Sequence, residues 1–148
     1  MIEPLLITSS LLFGKEIVNQ TITSTTKNIY IGIDNLMSTD DESFKNLIEK
    51  LDITSKLNII HKFIDELTSI DQTNFSKTVE LSLETLSEIL KKIETEIEII
   101  NKEIIDHKNK WFYKLRTQNY KTMIDNLVNH LDILDKRFNM LVRILQVS

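Results

Sequence analysis

Val79 to Trp111 reads VELSLETLSEILKKIETEIEIINKEIIDHKNKW, and this stretch decides the fold. Apolar residues recur along it at alternating spacings of four and three, and only His107 interrupts them. The series is Val79, Leu83, Leu86, Leu90, Ile93, Ile97, Ile100, Ile104, His107 and Trp111. This spacing predicts one helix with a continuous buried stripe. From Lys77 to Leu115 it would be about 55 Å long, at about 1.5 Å per residue.

The C-terminal residues repeat the pattern, so we expect a second long helix after a turn at Thr117 to Asn119. Its stripe is Tyr120, Ile124, Leu127, Leu131, Leu134, Phe138, Leu141 and Leu145. Two such helices joined by a short loop form an antiparallel αα-hairpin. Isoleucine fills both kinds of stripe position between Ile93 and Ile104, which favours three or four helices in parallel coiled coils. The hairpin should therefore pack against the N-terminal half.

The first helix of that N-terminal half is predicted from Leu5 to Met37. A β-hairpin turning at Lys27-Asn28 is the alternative, because Thr21 to Thr26 is rich in β-branched residues. Gly32 lies inside the proposed helix. It costs about 1 kcal/mol against alanine, or it allows a neighbouring backbone to come close.

A capping box, Thr39-Asp40-Asp41-Glu42, predicts that the next helix starts near Asp40 with Thr39 as its N-cap. Its predicted apolar stripe is Phe44, Leu47, Ile48 and Leu51. This helix kinks or restarts between Asp52 and Ser55, and Asp71 to Asn74 is the clearest linker. The predicted fold is all-α: an elongated, mainly antiparallel bundle of four to five helices with a long C-terminal αα-hairpin. We expect one domain over 1–148, with N-terminal helices in 1–71 and the hairpin in 74–148.

Composition sets the broad class of the protein. The chain has 148 residues and a formal net charge of -4, without cysteine and with only two glycines and one proline. A chain of this length can bury a core of its own. It contains no apolar run near the ~18 residues of a membrane span, and Leu5 to Phe13 lacks the basic start of a signal peptide. We expect an intracellular protein.

Positive charge is concentrated in residues 107–121, which we call the basic tip. The basic tip carries five Lys or Arg and no acidic residue, whereas residues 1–106 carry ten basic and nineteen acidic side chains. Four of the ten aromatic residues of the chain also lie there. The candidate partner-binding residues are Lys108, Lys110, Trp111, Phe112, Tyr113, Lys114, Arg116 and Lys121.

Four interpretations of the basic tip stay open. Trp, Tyr and Arg are typical of protein-binding hot spots. Aromatic rings with Lys and Arg can also stack on bases and hold phosphates, or lie at an anionic membrane surface. The structural explanation is that basic residues suit a helix C-terminus, while Trp111 and Tyr120 close the end of the core.

Catalytic chemistry has little support in this sequence. It contains no phosphate-binding loop, no Ser/His/Asp arrangement and no zinc spacing. His107 and His130 could meet Glu103 and Asp106 across the hairpin. His107 lies on the buried stripe, however, while Asp106 should point outward, and this disfavours a metal site. The acidic stretch from Glu94 to Glu103 is predicted to be a solvated helix face. We expect no enzymatic activity, no metal or other cofactor and no small-molecule substrate.

A resemblance can be stated on three motifs. His107-x-x-Lys110-Trp111-Phe112-x-x-x-Arg116, Arg137-Phe138-x-x-Leu141 and Leu12-Phe13-Gly14-Lys15-Glu16 resemble small uncharacterised helical proteins of giant, mimivirus-like DNA viruses. The resemblance implies a viral setting, in the host cytoplasm or the virion, and no activity or functional residue carries over from it.

The sequence therefore favours a non-enzymatic interaction or structural protein that acts through protein–protein contacts, self-association included. The alternative is an accessory protein that binds nucleic acid through the basic tip. A membrane partner is disfavoured.

We predict that a fragment from Thr73 to Ser148 is less stable than the full chain. The stripe of the last helix is widened by apolar neighbours that one partner helix cannot cover. Urea denaturation followed by circular dichroism should give a lower midpoint for the fragment. A fragment as stable as the whole chain would refute the bundle.

Overall fold

The computed structural model describes residues 3–69, 75–108 and 117–147, with side chains described in 17–69, 75–106 and 120–147. Its helices are α1 (Glu3–Met37), α2 (Glu42–Leu51), α3 (Ile53–Ser69), α4 (Lys77–Lys108) and α5 (Thr117–Val147). No strand occurs within these ranges, and the predicted all-α bundle is confirmed. The predicted linker and the end of the predicted central helix, 109–115, lie outside the described residues.

Glu3–Met37 forms one helix rather than a β-hairpin. α1 runs unbroken through the threonine-rich stretch 21–26 and past Lys27-Asn28. Its buried apolar residues follow the predicted stripe: Ile22, Ile29, Ile33 and Leu36. Because each of them packs into the common core, tertiary burial outweighs the weak helix propensity of isoleucine and threonine.

The start of α2 lies later than predicted. Asp41, not Thr39, is the N-cap, and its carboxylate accepts hydrogen bonds from the backbone N–H of Ser43 (3.0 Å) and Phe44 (3.2 Å). Thr39 lies two residues before that N-cap, and its buried hydroxyl has no hydrogen-bond partner among the described residues. Asp52 then ends α2 in the left-handed conformation, φ 53°, which aspartate tolerates better than most residues. The predicted restart is confirmed.

α4 and α5 form the predicted antiparallel hairpin. Arg137 donates a hydrogen bond of 2.6 Å to the carbonyl oxygen of Thr85 and lies 3.9 Å from the Glu88 carboxylate. Glu88 and Arg137 are each twenty residues from the helix ends that residues 109–116 connect. A parallel pair would separate those ends by about 60 Å, and the connection reaches only about 30 Å. Residues 117–119, predicted as the turn, are the first residues of α5.

α1 and α3 are also antiparallel. Thr23 Oγ1 lies 3.3 Å from His61 Nε2, and further along α1 the Tyr30 hydroxyl donates to Asn58 Oδ1. As α1 runs from Thr23 to Tyr30, its partners on α3 run backwards from His61 to Asn58. Burial raises the pKa of Tyr30, so this hydroxyl keeps its proton.

α3 and α5, in contrast, run in the same direction. Lys56 Nζ pairs with the Asp135 carboxylate at 3.1 Å, and one turn beyond Asp135 the rings of Phe63 and Phe138 meet edge to face at 5.3 Å. Since α1 opposes α3 and α4 opposes α5, the two long helices α1 and α4 must be parallel to each other. The chain thus passes up, down, up and down.

At Gly32, α1 and α4 are in close contact. The Asn101 side-chain amide donates a hydrogen bond of 3.0 Å to the Gly32 carbonyl oxygen. A Cβ atom at position 32 would lie 2.5 Å from Cγ2 of Ile97. Of the two roles predicted for Gly32, the structure therefore shows the second, the close approach of a neighbouring helix.

Glu94 is buried in the same interface, and the predicted solvated face is wrong for it. Glu94 is only 6% exposed. Lys91 Nζ contacts its Oε1 at 3.0 Å, while Oε2 has no hydrogen-bond partner among the described residues. Asn101 contacts Gly32. Glu94 lies seven residues before Asn101, and the buried Thr25 lies seven residues before Gly32. Because α1 and α4 are parallel, Glu94 is therefore level with Thr25. A buried carboxylate without a full set of partners costs stability.

We predict that Gly32→Ala lowers the free energy of unfolding by up to about 2 kcal/mol. Alanine gains about 1 kcal/mol in helix propensity, but the added methyl must displace the stiff, β-branched Ile97 in a filled core, at about 1–3 kcal/mol. Urea denaturation measures the difference. In the Ile97→Leu background, which removes Cγ2, the cost of Gly32→Ala should fall by about half or more. Equal costs in the two backgrounds would contradict the close contact.

Candidate interaction site

The basic tip lies mostly outside the described residues. Six of its candidate residues do so entirely: Lys110, Trp111, Phe112, Tyr113, Lys114 and Arg116. Of the other two, Lys108 is the last residue of α4, where only the backbone is described, and Lys121 is an exposed residue in the first turns of α5. The predicted cluster as a whole therefore stays a prediction, and Lys121 shows where it meets the bundle.

Beside Lys121 a pocket opens between α2 and α5, which we call the end pocket. Its volume is about 460 Å³, within the ~300–1,000 Å³ typical of binding pockets. Its lining residues are Asp41, Ser43, Phe44, Leu47, Tyr120, Lys121, Ile124 and Asp125. The end pocket thus joins the start of α2 to the part of the basic tip that belongs to α5.

Three buried or half-buried side chains form the floor of the end pocket. Phe44 is 6% exposed and Ile124 is 7% exposed, so both belong to the core. The Phe44 ring packs on the Tyr120 ring with a centroid separation of 5.8 Å and an interplanar angle of 59°. This tilted geometry is a favourable aromatic arrangement, and it fixes α2 against α5 at the base of the pocket.

Leu47 forms one wall and is 46% exposed. Phe44 and Ile48 fill the buried face of α2, and Leu47 lies at the edge of that face. The sequence predicts Leu47 as part of the α2 stripe, so its exposure is a correction. An exposed leucine beside an aromatic floor is apolar surface that a partner can cover.

The rim of the end pocket is more acidic than basic. Asp41 and Asp125 share the rim with a single base, Lys121, which lies one turn before Asp125 on α5. Asp40 and Glu42 are exposed next to Asp41. Of the nearby lysines, Lys45 is already engaged by Glu42, at 3.6 Å.

The other candidate chemistry can be placed only in part. His130 is half-buried and its Nδ1 has no hydrogen-bond partner among the described residues. The His107 side chain lies outside them. No group of three His, Asp or Glu side chains that could hold a metal ion occurs in the part of the chain with described side chains. Across the described helices, no segment is long and apolar enough to cross a membrane.

Comparison with known proteins adds one relative. The chain is similar to an uncharacterized protein of Acanthamoeba polyphaga mimivirus. The two are 35% identical over 66 residues, which cover 45% of this chain and 32% of the relative, so the match spans about a third of the relative's length. No protein-family model and no solved structure matches the chain. The resemblance to giant-virus proteins is confirmed, and it carries no activity with it.

We predict that Phe44 and Leu47 differ sharply in their contribution to stability. Phe44→Ala should lower the free energy of unfolding by about 3–5 kcal/mol, because it leaves a cavity in the core. Leu47→Ala should change it by about 1 kcal/mol or less, because about half of the side chain is already in water. Chemical denaturation checks both. A large loss for Leu47→Ala would mean that Leu47 serves the core rather than a partner.

Proposed function

We propose that this protein is a non-enzymatic interaction module that binds a protein partner in the end pocket. The observation that carries the proposal is the half-exposed Leu47 above a floor of Phe44, Tyr120 and Ile124. Protein hot spots are pockets of this kind: an apolar, well-packed centre is surrounded by polar groups that keep water out once a partner is bound. The helices around the floor supply the rigid support that such a site needs.

The rim charges favour protein over nucleic acid as the partner at this pocket. Asp41 and Asp125 on the rim, with Asp40 and Glu42 beside it, would repel phosphate groups. Nucleic-acid binding draws most of its affinity from Lys and Arg neutralising phosphates, and only Lys121 is available here. The nucleic-acid alternative therefore depends on the remainder of the basic tip.

The viral similarity supports a place for this function in infection. A protein of this kind would act in the host cytoplasm or within the virion, joining other proteins rather than transforming a substrate.

The test compares three forms of the full chain as bait: wild type, Leu47→Asp and Ile59→Asp. Ile59 is 63% exposed on α3 and is absent from the pocket lining, so its substitution is the matched control for an added surface charge. Each bait is incubated with an extract of cells that express the protein, and the retained proteins are compared by mass spectrometry. Circular dichroism confirms that all three baits are folded.

We expect wild type and Ile59→Asp to retain the same partner and Leu47→Asp to lose at least nine-tenths of it. Nuclease treatment of the extract should leave this retention unchanged. A partner retained equally by all three baits refutes the end pocket as the binding site. Retention that nuclease abolishes would favour the nucleic-acid alternative.

A further inference from the structure

We propose that the partner of the end pocket is a second copy of this chain, which inserts residues 108–116 of its basic tip. This inference rests on the proposed function of the pocket and names its ligand. It identifies the occupant by two properties of the pocket, its charge and its apolar floor, and by the arrangement of pocket and basic tip on one molecule.

The charge of the end pocket is complementary to the charge of the basic tip. The rim carries two carboxylates, Asp41 and Asp125, and one base, Lys121. Beside it Asp40 is exposed, while Glu42 pairs with Lys45. The mouth of the pocket is therefore net acidic and favours a basic ligand. The segment 108–116 carries Lys108, Lys110, Lys114 and Arg116 and no acidic residue. The same chain therefore supplies both halves of a complementary pair, and such complementarity both steers association and selects the partner.

The apolar floor of the end pocket suits the aromatic residues of the basic tip. Phe44, Tyr120 and Leu47 offer aromatic and aliphatic surface, and the basic tip carries three consecutive aromatic residues, Trp111-Phe112-Tyr113. Consecutive side chains project in different directions, so at most two of the three can enter one pocket, and at about 150–250 Å² for each aromatic side chain these could bury about 300–500 Å² per copy. A stable interface needs about 800 Å² per partner. The aromatic residues thus supply part of the area that a stable dimer requires, and the contact around the rim must supply the rest.

The position of the pocket sets the symmetry. Tyr120 and Lys121 belong both to the basic tip and to the pocket lining, so the ligand segment and its receptor lie at the same end of the bundle. Two copies meeting at that end can each insert a segment and each receive one. This is an isologous contact with a twofold axis, which closes as a dimer and does not propagate into fibres.

The experiment is sedimentation equilibrium of the full chain between 1 and ~100 μM, the range in which moderate interfaces dissociate. Wild type should have twice the mass of the 17.3 kDa chain. The pocket variant Leu47→Asp and the tip variant Phe112→Ala with Tyr113→Ala should each raise the dissociation constant at least ~50-fold, about 2.3 kcal/mol. The control Ile59→Asp should remain a dimer. Added salt should weaken the wild-type dimer, because part of its affinity is electrostatic.

An equimolar mixture of the pocket variant and the tip variant is the decisive sample. The pocket variant retains a working tip and the tip variant retains a working pocket, so one of the two contacts can form. We expect the mixture to dimerise at least ~10-fold more tightly than either variant alone, about 1.4 kcal/mol. A mixture no tighter than its components overturns the exchange of tip and pocket.

Two further outcomes separate this inference from the proposed function. If wild type is a monomer at the highest concentration while partner retention still depends on Leu47, the inference fails and the end pocket binds a different protein. If Leu47→Asp alters neither the mass nor the retention, the inference and the proposed function both fail. A dimer that survives both variants places the interface elsewhere and also overturns the inference.

Discussion

The close parallel contact of α1 with α4 is the constraint on which the rest of the bundle depends. Gly32 lets the two helices approach, Ile97 occupies the space that a side chain there would fill, and Asn101 bonds the exposed carbonyl oxygen. The α4–α5 hairpin alone would leave one side of α4 in water. By covering that side, α1 completes the core. Because α2 follows α1 after a short connection, the position of α1 along the bundle also determines where α2 begins and where it meets α5.

The constraint also explains why the interface between α1 and α4 tolerates polar groups. Thr25 and Glu94 are buried there although they satisfy no hydrophobic pattern. An Ile-only interface could slide by one heptad with little loss, because every layer would look alike. A single hydrogen bond at Asn101, with polar residues one heptad earlier, distinguishes one register from its neighbours, much as a buried polar residue specifies register in coiled coils.

The sequence predicts those features that depend on periodicity. The stripe residues of α4 and α5 were identifiable because a spacing of four and three is a direct property of the chain, and the hairpin follows from two such stripes in succession.

Helix direction cannot be predicted in this way. α1 and α4 are parallel, but an apolar stripe has the same spacing whichever way the helix runs. Thr39 and Asp41 both match N-cap preferences, and only the residue at which α2 begins, Glu42, decides between them. The end pocket depends on the distance between α2 and α5, and the burial of Glu94 depends on which side of α4 faces α1. Neither the distance between α2 and α5 nor the orientation of α4 can be predicted from a local sequence pattern.

The long sequence separation between Gly32 and Asn101 has a consequence for synthesis. α1 leaves the ribosome first, but the surface that covers it is made 69 residues later. At about 5–20 residues per second, α1 waits roughly 3–14 s for α4. Of the described helices, α2 and α3 are the ones made in that interval that can shield its apolar stripe. The nascent chain is thus most prone to aggregate in the middle of translation, and hosts that translate α4 quickly should give the better yield of folded protein.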